Sequence, residues 1–170
     1  PASYLELYQR LDMPDPDIGS WASDFNKWPY ALKARYHAWY GLSQQETRLA
    51  LAGFYAQCTY IDHQIRLLIG TLREEGELDN TIIMFTSDHG DMLGQHGLWA
   101  MPLMYDYSAQ VPLILVPNKA SERVGHHQTD NRLACLRDIM PTLLDLCEIP
   151  IPNTVEGHSL VSGPRRDHLY

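Results

Sequence analysis

The sequence predicts an α/β domain, and three features carry that reading. SQQE at 43–46 opens a long helical pattern, TIIMF at 81–85 follows it as a short and wholly apolar run, and PLILV at 112–116 is a second such run. Five apolar or β-branched residues in succession are too few for a helix and suit a strand covered on both faces. A long helix leading into such a strand implies a crossover, and hence a mainly parallel sheet with helices on its faces.

Composition bounds the rest. A chain of 170 residues with 45% hydrophobic content can bury one real core, so a single globular domain or a large piece of one is expected. The net charge of -8, with no basic stripe or arginine-rich helix, argues against a nucleic-acid partner. No apolar stretch approaches the roughly 18 residues of a membrane span, and no opening segment has signal-peptide character. A soluble protein is expected, with the compartment open between cytoplasm and periplasmic or secreted space. The chain begins at Pro1 without an initiator Met, as a processed or engineered product or a fragment would. Cys58, Cys135 and Cys147 are odd in number, irregularly spaced and set in apolar contexts, which predicts buried reduced thiols rather than a disulfide or a zinc cluster.

In chain order, residues 1–41 form an irregular, aromatic-rich segment, with Trp21, Trp28 and Trp39 among Tyr30, Tyr36 and Tyr40, broken by Pro14, Pro16 and Pro29. Short helices and a long surface excursion fit it. The aromatics either pack as a lid on their own domain or wall a substrate cleft. Ser43 and Glu46 then make a capping box at a helix start. Leu49, Phe54, Cys58, Ile61, Ile65, Leu68 and Leu72 recur on one face, Arg48, Asp62, Arg66 and Arg73 occupy others, and Gly76 is the stop. His63 on this helix has no assigned role. Asp79 and Asn80 turn the chain into TIIMF, and HHQTDN at 126–131 is a loop with two exposed histidines. Asp138 precedes IMPTLLDLCEI, a short amphipathic helix that tolerates Pro141 in its first turn. The tail from 149 to 170 is turn-rich and looks like an incomplete end.

The stretch TSDHGDMLGQHGLW, 86–99, puts Ser87, Asp88, His89 and Gly90 directly after the first strand, where ligands collect in open α/β sheets. Asp88 offers a hard oxygen and His89 a borderline nitrogen to a divalent cation, and Gly90 lets the backbone fold closely round what is bound. Two adjacent ligands are half a coordination shell. The competing reading has Asp88 capping a following helical turn and His89 as an ordinary loop histidine.

The runs DNTIIMFTSDHGDMLGQHGLW, VPLILVP, DIMPTLLDLCEIPIP with EGHSL, and YIDHQIRLLIGTLREEGELDN, in that family's order and approximate spacing, resemble the C-terminal part of the sulfatase family, within the alkaline phosphatase superfamily. The matched core covers about 43–160. The resemblance implies an α/β/α sandwich around a mixed central sheet, incomplete here. It implies that Asp88 and His89 are the late pair of metal ligands, with calcium the first expected cation and manganese the second. It also implies hydrolysis of a small-molecule sulfate ester. A phosphonate monoester or phosphodiester hydrolase is the alternative within the superfamily, and a non-catalytic or degenerate homologue the alternative outside enzymes.

Sulfatases also carry an early Asp-Asp ligand pair and a Cys-x-Pro/Ala-x-Arg sequence whose cysteine becomes the formylglycine nucleophile. Here Cys58 precedes TYID, Cys135 precedes LRDI and Cys147 precedes EIPI, so none fits that pattern. PASYLELY resembles the stretch after the family's mid-chain His-Pro-His-type segment. Residues 1–170 are thus expected to be the C-terminal portion of a sulfatase-type catalytic domain, with formylglycine in the missing N-terminal half, its partner. Relatives usually carry a lysine two residues after the tryptophan of GLW; here that position is Met101. His96, within GQHGLW, either contacts substrate or bonds the loop backbone.

Overall fold

The protein is described by a computed structural model covering all residues except 1, 37, 38, 102, 126 and 170. The chain forms two compact units: one from residues 1–75 and 89–112, the other from 76–88 and 113–170.

In the first unit, helix α1 (Ala2–Gln9) lies along the middle of α3 (Gln44–Glu74), its tyrosines meeting residues from Tyr55 to His63. Tyr8 shares a 2.6 Å hydrogen bond with Thr59 and stacks on Tyr55, and the Tyr4 hydroxyl lies 2.6 Å from Nδ1 of His63. The capping box forms as expected: the Glu46 amide donates to Ser43 Oγ at 3.2 Å, and the Ser43 amide donates to the Glu46 carboxylate at 2.8 Å. Beyond the C-cap Glu75, Gly76 takes φ +76, the left-handed conformation that suits a helix stop. The buried strip of α3 runs through Leu51, Ala52 and Ala56. Leu49, Ile61 and Leu68 of the predicted apolar face are more than half exposed. Periodicity locates a face that needs cover, whereas the eight-residue α1 reaches only part of a 31-residue helix.

The aromatic segment contributes α2 (Tyr30–Tyr36) and packs inward as a lid on its own unit. Ala22, Trp28 and Tyr36 form the core with Met92 and Leu98, both fully buried. The Trp28 indole donates to the Ala22 carbonyl at 3.1 Å, so its polar edge is satisfied. Met92 and Leu98 belong to a tight hairpin of β2 (Met92–Leu93) and β3 (Trp99–Ala100). The helix α4 (Asp106–Ala109) follows it.

In the second unit, β1 (Ile83–Thr86) pairs with β4 (Leu113–Val116), Ile83 opposite Val116 and Thr86 opposite Leu113. The pairing is antiparallel, unlike the mainly parallel sheet expected from the helix and the two apolar runs, and a mixed sheet accommodates it. The described residues of the link 87–112 form only short elements and no crossover helix, so the chain returns in the opposite sense. Neither strand is covered on both faces: Phe85, Leu113, Ile114 and Val116 are exposed. Apolar runs mark a demand for cover, and a two-stranded ribbon cannot meet it alone.

Helix α5 (Ile139–Leu146) buries Pro141 and Thr142. Asp138 precedes it but makes no side-chain cap there; its carboxylate turns back to the Cys135 amide at 2.9 Å. The tail is not loose. Gly157 packs so closely that a Cβ would lie 1.8 Å from the Arg137 carbonyl, and Ser159 is buried. All three cysteines are free, as expected, but Cys58 and Cys147 are exposed and Cys135 only partly covered, which corrects the buried reading. Their apolar neighbours lie on surfaces these residues leave open. His127 is exposed; His126 lies outside the described residues.

Candidate functional site

Strand β1 ends at Thr86, and Ser87 donates to the Asp88 carboxylate at 3.3 Å. Asp88 is exposed and is the last residue of its stretch in the second unit; His89 opens the next stretch, in the first. No helical turn follows Asp88 directly. The nearest, Gln95–Gly97, is capped at Gly94, so Asp88 is not a helix cap.

His89 Nδ1 lies 2.9 Å from the Gly90 carbonyl oxygen. A carbonyl only accepts, so Nδ1 carries a proton, and in the neutral ring the lone pair is on Nε2. That is how metal-ligating histidines are usually set, with one ring nitrogen donating to a carbonyl or carboxylate and the other turned to the ion. Asp91 adds a carboxylate 3.9 Å from the same Nδ1. The donor chemistry of Asp88 and His89 therefore fits a divalent cation. Among the described residues no group of three His, Cys, Asp or Glu side chains converges, so the fit is to part of a shell.

Gly90 is fixed from α4. Its amide donates to the Ser108 carbonyl at 2.8 Å, and a Cβ at this position would lie 2.2 Å from the Tyr107 carbonyl oxygen. Close approach, and not an unusual φ, is what demands glycine here.

His96 is held in the left-handed region at φ 56. Its amide donates to the Asp17 carbonyl at 2.9 Å, its Nδ1 accepts the Gly19 amide at 3.2 Å, and its ring lies beside Trp21 and Tyr105. It thereby fastens the aromatic segment to the GQHGLW loop. Met101 is 46% exposed and follows Ala100, another left-handed residue at φ 61. Lys119, the next lysine along the chain, pairs with Asp79 at 2.7 Å. An open groove of about 470 Å³ lies among Tyr8, Met13, Gln44 and Arg48, and includes neither Asp88 nor His89. Sequence reasoning missed Ser108 and the interactions of Asp138 and Asp145; a Ser in a short polar helix and two Asp near an amphipathic one carry no spacing signal.

Residues 20–149 match the sulfatase family, described simply as Sulfatase. The chain belongs to the sulfatase family. It is similar to an arylsulfatase of Clostridium perfringens, 37% identical over 94% of this chain and 33% of that protein. It is 30% identical to a choline-sulfatase of Rhizobium meliloti over 93% of this chain and 31% of that one. The sulfatase chain thus spans about a third of the length of these curated relatives. Among solved structures it resembles a phosphonate monoester hydrolase of Silicibacter pomeroyi, with TM-score 0.77 and 26% identity over 94% of this chain and 33% of that one. It also resembles a protein solved with its substrate D-glucosamine-2-N,6-O-disulfate, with TM-score 0.64 and 30% identity over 80% of this chain and 28% of that one. The mixed α/β architecture here is part of the alkaline phosphatase-like fold of these neighbours. No described helix is long and apolar enough to cross a membrane.

Proposed function

We propose that these residues are the C-terminal portion of a sulfatase catalytic domain that hydrolyses a small-molecule sulfate ester, with Asp88 and His89 supplying part of the shell of a divalent cation. The observation that carries this is the His89 ring, set by the Gly90 carbonyl in a segment that matches the family. Calcium is the first candidate by family resemblance, and manganese the second because of the nitrogen ligand. Such a cation supplies positive charge that polarises the ester and favours the ionised nucleophile. Asp88 would bring a negative oxygen that holds it, and the Nδ1 hydrogen bond orients the imidazole. The formylglycine nucleophile and the remaining ligands belong to the preceding part of the domain in this reading.

A phosphonate monoester or phosphodiester hydrolase is the second reading, favoured by the likeness to the Silicibacter pomeroyi enzyme. The degenerate, non-catalytic homologue is favoured by Met101. Relative rates of the full-length protein on aryl sulfate, aryl phosphonate and phosphodiester separate them. Faster sulfate turnover, abolished by Asp88→Ala and by chelation, is expected. Faster phosphonate or diester turnover sinks the sulfatase reading, and no turnover of any of the three supports the degenerate homologue. The 170-residue chain alone should match the buffer blank.

A further inference from the structure

We infer that Ser108 is a positioning residue for the segment that carries His89, its buried hydroxyl taking up a hydrogen-bond partner when a divalent cation binds; this rests on the proposed metal role of Asp88 and His89.

Three observations lead there. Ser108 is 2% exposed, and its Oγ has no hydrogen-bond partner among the described residues. Buried polar atoms are nearly always partnered, and a helical serine commonly returns its hydroxyl to the carbonyl one turn back, which this one does not do. Second, the same residue's carbonyl accepts the Gly90 amide at 2.8 Å, one residue beyond His89. Third, the neighbouring Tyr107 carbonyl sits where a Gly90 Cβ would be. The residue after His89 is therefore wedged against α4 by two consecutive peptide groups, and a shift of the His89 ring on binding an ion is transmitted to the place where the unpartnered hydroxyl is buried. An alanine would fill this position without the cost of burying a lone hydroxyl. A state of the protein that supplies a partner gives the hydroxyl a use, and ion binding at His89, the residue before the Gly90 that Ser108 holds, is the state assigned here.

The test uses the full-length protein with Ser108→Ala, Ser108→Cys and Ser108→Thr. Melting is followed in chelator, and affinities for Ca²⁺ and Mn²⁺ are measured by calorimetry. In chelator, Ser108→Ala should melt at or above the wild-type temperature, because it removes a buried hydroxyl that has no partner there. Its ion affinity should nevertheless fall by about tenfold or more, the scale of losses at groups that support a metal ligand. Ser108→Thr, which keeps the hydroxyl, should recover most of that loss. Ser108→Cys, nearly the same size but a poor donor, should behave as Ser108→Ala and decides the matter if the alanine variant does not fold. Unchanged ion affinity in the alanine or cysteine variant overturns the role of Ser108 while leaving the metal reading intact. If the wild type binds neither ion, both readings fall.

Discussion

The Arg166 guanidinium donates to the carboxylate of Asp138, a side chain with no exposed surface. The same carboxylate accepts the Cys135 amide at 2.9 Å and the His158 amide at 2.8 Å, so one buried charge ties the tail to the start of α5. Replacing it strands a mostly buried guanidinium and two amides. Asp138→Ala should therefore lose about 3 kcal/mol or more of unfolding free energy, the usual cost of removing one partner of a buried pair. Urea titration of the variant checks it; a loss under 1 kcal/mol would show that the tail is held by other means.

Acid should release the same region. Burial alone would raise the carboxyl pKa of Asp138, but hydrogen bonds from Arg166, His158 and Cys135 outweigh it and hold it at about 2. Burial likewise opposes, and Ser159, Ser162 and Arg123 overcome, the tendency at Asp145, also held at about 2. Both folded-state values lie below the ordinary aspartate value of about 3.9, so each group's contribution is complete above that pH and is lost as pH falls through about 2. For Asp138 the contribution is about 2 kcal/mol. For Asp145 it is smaller because Arg123 is partly open to solvent. Stability measured from pH 5 to pH 2 should decline more steeply in the wild type than in Asp138→Asn. Equal slopes would refute the assignment.

The legible parts of the sequence were those whose signal is local. The Ser43–Glu46 box needs only four residues and formed as expected, and the two apolar runs became strands within two residues of their predicted limits. What failed depended on distant chain. Strand direction is set by the connection and not by the strand's own composition, and Ile114 or Leu68 is apolar whether or not a neighbour covers it. At the proposed site, Asp88 and His89 stand out in the sequence because potential ligand chemistry is written in side chains. Ser108 did not, because its link to Gly90 runs through a backbone carbonyl that every residue possesses.

Glycine substitutions should separate close approach from ordinary helix propensity. A Cβ at Gly90 would meet the Tyr107 carbonyl at 2.2 Å, so Gly90→Ala must displace backbone next to His89. It should cost about 1–3 kcal/mol, as overpacking does, and weaken ion binding as well. Gly53 lies in α3 with nothing within 4 Å of its Cβ position. Gly53→Ala should instead stabilise by about 0.5–1 kcal/mol and leave ion affinity unchanged. Melting temperatures of the two variants moving in the same direction would contradict this reading.

We propose that Met101 stands where, by the family resemblance, sulfatases usually place a lysine. Lys119 is held by Asp79, whose hydrogen bond and charge raise the lysine's pKa and strengthen that pairing. A lysine at 101 would set a positive charge against an oxyanion, and losing one such donor typically costs about 100- to 1,000-fold in turnover, roughly 3–4 kcal/mol. Methionine cannot supply that stabilisation, since its thioether is a weak acceptor with no hydrogen to donate. The side chain at 101 is 46% exposed, so a longer cationic chain can be accommodated without repacking a core. Met101→Lys in the full-length protein should leave the melting temperature within a few degrees and raise kcat on an aryl sulfate tenfold or more. The gain should appear in kcat and kcat/KM together, because the charge acts on a group that becomes more negative in the transition state. An unchanged or lower kcat with the fold intact would mean that the charge at the oxyanion comes from another residue and that position 101 does not face it.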